Sequence, residues 1–171
     1  MTAAAAALAK TSEAFMLGRL ALVPDLSGAL WLPDERTLVV ADLHLEKGSA
    51  FARRGMMLPP YDSTATLAAL GQAILRHRPA RVIALGDSFH DRDAENRLAP
   101  ETRAALGTMQ RGSDWLWITG NHDPAISRAM GGESAAEIVL AGVSLRHFFF
   151  EQEAAYEIAG HLHPAAKVRM R

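Results

Sequence analysis

The sequence has 171 residues, a length that predicts one domain. Hydrophobic residues make up 49% of it and charged residues 22%, so the chain can build an apolar core and is neither disordered nor fibrous. Lys and Arg number 18 against 19 Asp and Glu, and the net charge of -1 excludes a field over the whole molecule that would draw it to DNA or an anionic membrane. Contact with a polyanion therefore requires a local basic patch.

The chain contains no cysteine, which excludes disulfides, thiolate zinc sites and cysteine nucleophiles. The apolar opening lacks a basic start and ends at Lys10, before a secretory core could form. No later segment approaches the ~20 apolar residues of a membrane span. We expect a soluble cytoplasmic protein without a membrane partner, in which residues 1–14 are flexible.

The first predicted elements are a hairpin and a helix. Residues 29–32 and 37–41 are typical of strands, and the Pro-Asp-Glu-Arg sequence between them favours a tight turn. A helix is predicted to begin with Asp62 or Ser63 as its cap and to end at His77.

Strands and helices then alternate along the chain. A buried strand is predicted at 81–85, a helix from near Pro100 to just before Gly112, and a strand at 115–119. This order is typical of right-handed crossovers in a largely parallel sheet. Three later runs are predicted to form successive antiparallel strands, at 137–141, 143–147 and 156–159. No repeat or linker interrupts the pattern, so we expect one α/β domain over residues 1–171.

Polar residues suited to catalysis directly follow the predicted strands. Ligands of open α/β sheets bind just outside the carboxyl ends of the strands, so side chains that follow different strands meet at one rim. In chain order these residues are Asp42, His44, Asp87, Asn121, His122, His147, His161 and His163. Carboxylate and amide oxygens together with imidazole nitrogens suit two divalent ions such as Mn, Fe or Zn.

Two local patterns support convergence of these side chains. In the segments 42–44 and 161–163, an extended backbone would point alternate side chains the same way, so that each pair addresses one cluster. Glycines precede three of the polar segments and would let the backbone turn sharply there; they are Gly86, Gly120 and Gly160. Taken singly, each residue has a structural alternative: a lone Asp commonly caps a helix, and His147 in its apolar strand is compatible with a core histidine.

The ordered set resembles the motif series of the calcineurin-like metallophosphoesterases over roughly residues 37–163. The motifs that carry the resemblance are Asp42-Leu43-His44, Gly86-Asp87, Gly120-Asn121-His122-Asp123, His147 and Gly160-His161-Leu162-His163. Within that superfamily, residues 41–48, 50–55 and 85–91 look like those of the ligase-associated DNA damage response endonucleases.

The resemblance implies a four-layer αββα sandwich, in which helices flank two mixed sheets, and two bound metal ions bridged by Asp87. The ligands implied for one ion are Asp42, His44, Asp87 and His163. The ligands implied for the other ion are Asp87, Asn121, His147 and His161. The resemblance makes His122 a residue that faces the substrate phosphate and protonates or stabilises the leaving oxygen. Two such ions acidify bound water and neutralise phosphate oxygens, so no covalent enzyme intermediate is needed.

The segment after Asp87 departs from many phosphatases of the superfamily, which carry an Asp-Arg pair where this chain has His90 and Asp91. The pattern instead resembles that of the double-strand-break repair nucleases, which implies that His90 engages the phosphodiester. A loop residue in contact with solvent is the alternative for His90. Either Asp91 or Asp123 is expected to replace the usual carboxylate that supports His122.

Arg53 and Arg54, next to Phe51, form a candidate substrate-binding patch that could grip a phosphate backbone while the ring stacks on a base. A solvated helix face is the alternative interpretation of this pair. Members of the superfamily continue beyond the last histidine with a further strand, so we expect a C-terminal sheet strand either to begin near Val168 or to be missing.

These features predict a metal-dependent phosphodiesterase, with manganese as the expected metal, that acts on DNA in damage repair. A DNA ligase or helicase is the expected partner. One alternative is a phosphodiesterase or phosphomonoesterase of small molecules such as cyclic nucleotides, because the motifs specify the metal site and not the leaving group. Another is a non-catalytic scaffold that binds a repair partner.

Overall fold

The computed structural model describes residues 14–59, 61–151 and 154–163. Its strands are β1 (Phe15–Leu17), β2 (Leu20–Pro24), β3 (Leu30–Leu32), β4 (Thr37–Val40), β5 (Arg81–Leu85), β6 (Asp114–Ile118), β7 (Glu133–Ala135), β8 (Glu137–Leu140), β9 (Val143–Arg146) and β10 (Glu157–Ala159). Its helices are α1 (Lys47–Ala52), α2 (Asp62–His77), α3 (Ala94–Arg97) and α4 (Pro100–Gln110), with a short 3-10 helix at Arg128–Met130.

The strands form two mixed sheets. The large sheet contains β1 to β7 in chain order, antiparallel from β1 to β4 and parallel from β4 to β7. The small sheet has the order β10-β9-β8, with β8 antiparallel and β10 parallel to β9. Because β4, β5 and β6 are parallel, the loops that follow them leave the same edge of the large sheet.

The large sheet is buried on both faces, and alternate residues of its central strands enter two different cores. One core lies under the helices and takes Leu38, Val82 and Trp117 from the sheet. The other lies against the small sheet and takes Val39 and Ile83. This double burial explains why β4 and β5 consist almost entirely of apolar residues.

The predicted fold is confirmed: two mixed sheets with flanking helices form a calcineurin-like architecture. The predicted hairpin, the helix that ends at His77, the strand at 81–85 and the crossover order of the central sheet are all present. In the part of the chain that the structure describes, the helices that enter a core cover one face of the large sheet, and no helix covers the small sheet.

Two expectations about the secondary structure were wrong, and three strands were not predicted. The strand β10 runs parallel to β9 rather than antiparallel. The strands β1, β2 and β7 were not predicted; β7 has the sequence Glu-Ser-Ala, which carries no hydrophobic signature. The second wrong expectation concerned the cap of the helix that ends at His77.

Neither Asp62 nor Ser63 caps its own helix, since the residue at the cap is Tyr61 and makes no side-chain hydrogen bond there. Asp62 instead accepts a hydrogen bond from the Gly48 amide in the first turn of α1, at 2.8 Å. Ser63 accepts one from the Glu46 amide, also at 2.8 Å. Both side chains therefore tie the start of α2 to the start of α1.

Residues 1–13 and 164–171 lie outside the described residues, and with them most of the predicted flexible segment and the predicted C-terminal strand. Within the described ranges, no helix has the length and apolar character needed to cross a membrane.

His77 has a structural role at the end of α2. Its Nε2 atom lies 2.7 Å from Oδ2 of Asp25, and its ring stacks on Trp31 with a centroid distance of 5.0 Å. Asp25 also accepts hydrogen bonds from Arg76 and from the Ser27 amide. Burial acts to raise the pKa of Asp25, but these hydrogen bonds outweigh it and hold that pKa well below its usual value.

Replacing Asp25 with asparagine should lower the free energy of unfolding by about 1.5–3 kcal/mol at pH 7, the range for hydrogen bonds to a charged group. The depressed pKa stabilises the fold fully above the ordinary Asp value of 3.8, and this stabilisation is lost as the pH falls below it. Urea denaturation from pH 7 to pH 3 should therefore show the two proteins converging, with the exposed Asp34→Asn variant as control. A difference that is constant over this range would contradict the assignment.

Candidate metal centre

The loops that follow β4 and β5 run side by side at the carboxyl edge of the large sheet. The amides of Asp42 and His44 donate to carbonyl oxygens of the neighbouring loop at 3.1 and 2.9 Å, and Leu45 pairs with Phe89 as a parallel bridge. Leu45 and Phe89 are buried in the core beneath the helices and anchor both loops. The polar residues that follow two separate strands are thus held at one rim.

Five of the predicted ligands have a left-handed backbone conformation. Their φ angles lie between 43° and 66°, and they are Asp42, His44, Asp87, His161 and His163. A non-glycine residue in this conformation costs ~1–2 kcal/mol, and such residues cluster at functional sites. The expectation of an extended backbone in segments 42–44 and 161–163 is therefore wrong, because the alternate residues turn left-handed.

The side chains of the predicted ligands converge on two groups, in each of which the potential ligand atoms lie within 4.8 Å of one another. The first group is Asp42, His44 and His163, and the second is Asp87, His147 and His161. The two histidines that follow Gly160 are thus divided between the groups instead of addressing one cluster. This division agrees with the ligand sets that the resemblance implies, and the individual roles stay predictions.

His147 is buried, and its contacts identify the nitrogen that is free to bind an ion. Its Nδ1 atom lies 3.2 Å from the carbonyl oxygen of Leu85, which can only accept, so the neutral ring carries its proton there. Its Nε2 atom then presents a lone pair to oxygens of Asn121 at 3.1 Å and Asp87 at 3.4 Å. A lone pair that faces two oxygen atoms is repulsive unless a cation lies between them, and a backbone acceptor on the other nitrogen is typical of metal-binding histidines.

The first group also brings two imidazole nitrogens close to each other and to a carboxylate oxygen. Nε2 of His163 lies 3.5 Å from Nε2 of His44 and 3.7 Å from Oδ1 of Asp42. Nδ1 of His44 is buried and has no hydrogen-bond partner among the described residues. Burial, opposed by the charge of Asp87, lowers the pKa of His44 to about 4. His44 is therefore neutral at pH 7, the form that binds metal. Both donor sets fit manganese, iron or zinc.

A third cluster, formed by His44, His90 and His122, adjoins the two groups. Nδ1 of His122 lies 2.5 Å from the carbonyl oxygen of His90, and the His122 amide donates to Oδ1 of Asp87 at 2.9 Å. The side chain of His122 is 37% exposed, so its Nε2 atom can reach a substrate. Burial and the neighbouring His122 lower the pKa of His90, which favours its neutral form.

Neither Asp91 nor Asp123 supplies the expected carboxylate support of His122. Asp91 binds Arg97 through two hydrogen bonds of 2.9 and 2.6 Å, which keep its pKa below the usual value. The support of His122 is instead the backbone carbonyl of His90. Sequence reasoning could not identify this acceptor, because every residue carries a carbonyl.

Asp123 has a different role from the one expected. Its buried carboxylate accepts hydrogen bonds from four backbone amides at 2.7 to 3.1 Å; they belong to Asp87, Ser88, Phe89 and Gly120. Burial raises the pKa of Asp123 against the lowering effect of these bonds. Asp123 thus joins the loop after β5 to the loop after β6.

The glycines at positions 86, 120 and 160 lie where a side chain would collide with neighbouring atoms of the site. A Cβ atom at Gly120 would collide with Oδ1 of Asp87, and one at Gly86 would collide with the ring of His147. At Gly160 it would lie 2.7 Å from the carbonyl oxygen of Leu85. Only Gly86 among them also has a positive φ, of 79°, so close packing rather than a sharp turn explains the other two glycines.

The predicted basic patch borders a cavity of about 440 Å³ beside His90. Three arginines and two aspartates line it: Arg53, Arg54, Arg92, Asp91 and Asp93. Arg53 also makes an exposed ion pair with Asp93 at 3.4 Å. Phe51 does not belong to this lining; its ring lies 5.8 Å from that of His90.

The fold and the site together define a hydrolase of phosphate esters. Residues 35–161 match the calcineurin-like phosphoesterase family, and since this stretch is most of the chain, the protein belongs to that family. Among solved structures, the Pseudomonas putida nuclease MPE is similar, with a TM-score of 0.72 and 28% sequence identity over 89% of this chain and 74% of that chain. No curated protein matches the sequence significantly.

Replacing Gly120 with alanine should lower metal affinity about 10–100-fold, the range for lost support of a ligand, because the methyl group displaces Asp87. The matched control is Gly107→Ala in α4, where an added Cβ meets no atom within 4 Å and should stabilise the helix by about 1 kcal/mol. Metal titration calorimetry and urea denaturation would measure both effects. Equal metal affinities of the two variants would refute the packing argument.

Proposed function

We propose that the protein is a phosphodiesterase with two metal ions that cleaves DNA during damage repair, as the narrower resemblance to the ligase-associated endonucleases implies. The observation that carries the proposal is the juxtaposition of two ligand groups with His122 at a single rim. Manganese is the proposed metal, and a DNA ligase or helicase is the proposed partner in the cytoplasm.

When bound, the ions would supply an acidic water and neutralise the phosphate oxygens. The proposed ligands are those of the two groups, with Asn121 added to the second and Asp87 shared. His122 would protonate the leaving oxygen as the ester bond breaks. Its position supports this role, because the carbonyl acceptor at Nδ1 orients the ring, and its Nε2 atom lies 3.9 Å from Oδ2 of Asp87 in the second group.

DNA is favoured as substrate by the local charge beside His90. The protein has a net charge of only -1, so a polyanion needs a local basic patch. Around the cavity, three arginines outnumber two aspartates, and both aspartates form ion pairs with arginines. His90 lies between this patch and His122, where it could engage the scissile phosphodiester. The similarity to a bacterial nuclease supports the same substrate class.

The test is hydrolysis of bis-p-nitrophenyl phosphate against p-nitrophenyl phosphate after chelation, with Mn, Fe, Zn and Mg restored separately. We expect Mn to restore diester hydrolysis, followed by cleavage of DNA. Hydrolysis of the monoester alone would overturn the nuclease proposal in favour of a phosphomonoesterase. Bound metal without hydrolysis of either ester would favour the scaffold.

Two variants separate metal binding from proton transfer. Asp87→Asn should abolish turnover by loss of metal, because it removes a buried carboxylate charge from the second group. His122→Ala should keep its metal and lose activity about 10²–10⁴-fold, the usual contribution of a general acid. Metal analysis of both purified proteins checks the division, and a metal-free His122→Ala protein would contradict it.

A further inference from the structure

Three consecutive phenylalanines directly follow the buried His147 and β9. Phe148, Phe149 and Phe150, here called the aromatic rim, are 38%, 56% and 47% exposed. Exposed apolar patches of this kind are uncommon on soluble domains and mark binding surfaces. The charged and imidazole groups of the site do not need them for metal binding.

The aromatic rim is continuous with the candidate metal centre. The ring centroid of Phe148 lies 4.8 Å from that of His147 and 4.9 Å from that of His161. Both histidines belong to the second ligand group. A ligand whose phosphate occupies the metal centre would therefore reach the rim with the groups next to that phosphate.

The far end of the rim is fixed by a buried arginine. The guanidinium carbon of Arg146 lies 4.6 Å from the ring centroid of Phe150, and its Nη2 atom donates to the Phe150 carbonyl oxygen at 3.3 Å. Glu157 of β10 binds the same guanidinium at 2.7 and 3.1 Å. The rim is thus supported by an ion pair between two strands of the small sheet.

We propose that the aromatic rim stacks an unpaired nucleobase adjacent to the scissile phosphate; this inference rests on the proposed function and identifies the part of the substrate that the rim holds. The flat apolar rings suit the base of a nucleotide, and the metal centre beside them suits its phosphate. The basic cavity adjoins His90 and the rim adjoins His161, so backbone and base have separate surfaces. Arg54 would hold the charge, and Phe148, whose ring lies beside His147 and His161, would hold the base.

Stacking on protein rings contributes about 1–3 kcal/mol per base and tolerates any base, because every base has an apolar face. A base inside a duplex is already stacked on its neighbours, so the rim selects strands that are unpaired at the cutting point. The rim is thereby a specificity determinant and not a source of catalysis.

The test measures the affinity of labelled 12-nucleotide single strands for the metal-loaded His122→Ala protein, in which cleavage is slow. One oligonucleotide carries all its bases and the other is abasic throughout. Adding Phe148→Ala should raise the Kd of the first about 5–150-fold, the equivalent of one stacked base, and leave that of the second unchanged. A 2-aminopurine base in the oligonucleotide changes its fluorescence when it stacks, and this change on binding should be lost in the alanine variant.

Two matched variants separate stacking from charge. Arg54→Ala should weaken both oligonucleotides by the same factor and flatten the dependence of log Kd on log salt. Phe15→Ala, which removes a ring that is 49% exposed on the edge strand β1, should change neither affinity. Phe148→Trp, which keeps a stacking surface, should retain the preference for bases. The unchanged affinity of Phe148→Ala for the abasic oligonucleotide shows that this variant is folded.

The proposal fails if the parent protein binds the two oligonucleotides equally, or if Phe148→Ala weakens both alike. Hydrolysis of bis-p-nitrophenyl phosphate by the wild-type protein is measured beside these titrations. Failure of the base preference with diester hydrolysis intact would overturn the stacking role alone. Loss of diester hydrolysis itself would overturn the proposed function.

Discussion

The carboxylate of Asp123 accepts hydrogen bonds from four backbone amides, and the geometry of the rim depends on this arrangement. The amides come from the ends of two neighbouring parallel strands, where no ladder partner remains for them. One buried acceptor therefore satisfies several donors and sets the relative position of Asp87 and the segment with His122. Without it, desolvated amides would be left unpaired, at about 1–3 kcal/mol each.

Tight packing around this acceptor leaves little freedom for the backbone. Gly120 and Gly160 sit where a side chain would meet Asp87 or Leu85, and several of the ligands take left-handed conformations that are unfavourable by themselves. The strain is tolerated because Leu45 and Phe89 anchor the loops in the apolar core beneath the helices. The core thus stabilises conformations that the ligand segments would not adopt in isolation.

Sequence patterns predicted the central strands and the convergence of side chains, because apolar runs and strand-end polar residues reflect burial and topology directly. They did not predict β7, whose Glu-Ser-Ala sequence has no apolar period, or the parallel pairing of β10. Nor could they predict the hydrogen-bond acceptor of the His122 ring, since it is a backbone carbonyl and every residue carries one. Asp123 was visible as a polar residue after a strand, but its four donors are backbone groups that only the folded loops bring together.

The hydrogen bond between the His161 amide and the Asp42 carboxylate joins residues that are 119 positions apart. The first ligand group likewise combines residues from early in the chain with one of the last described residues. Contacts of such long sequence separation carry a large loop-closure entropy and form late in folding. A partly folded or nascent chain would hold neither complete ligand group, so hydrolytic activity would be confined to molecules in which both sheets have already docked.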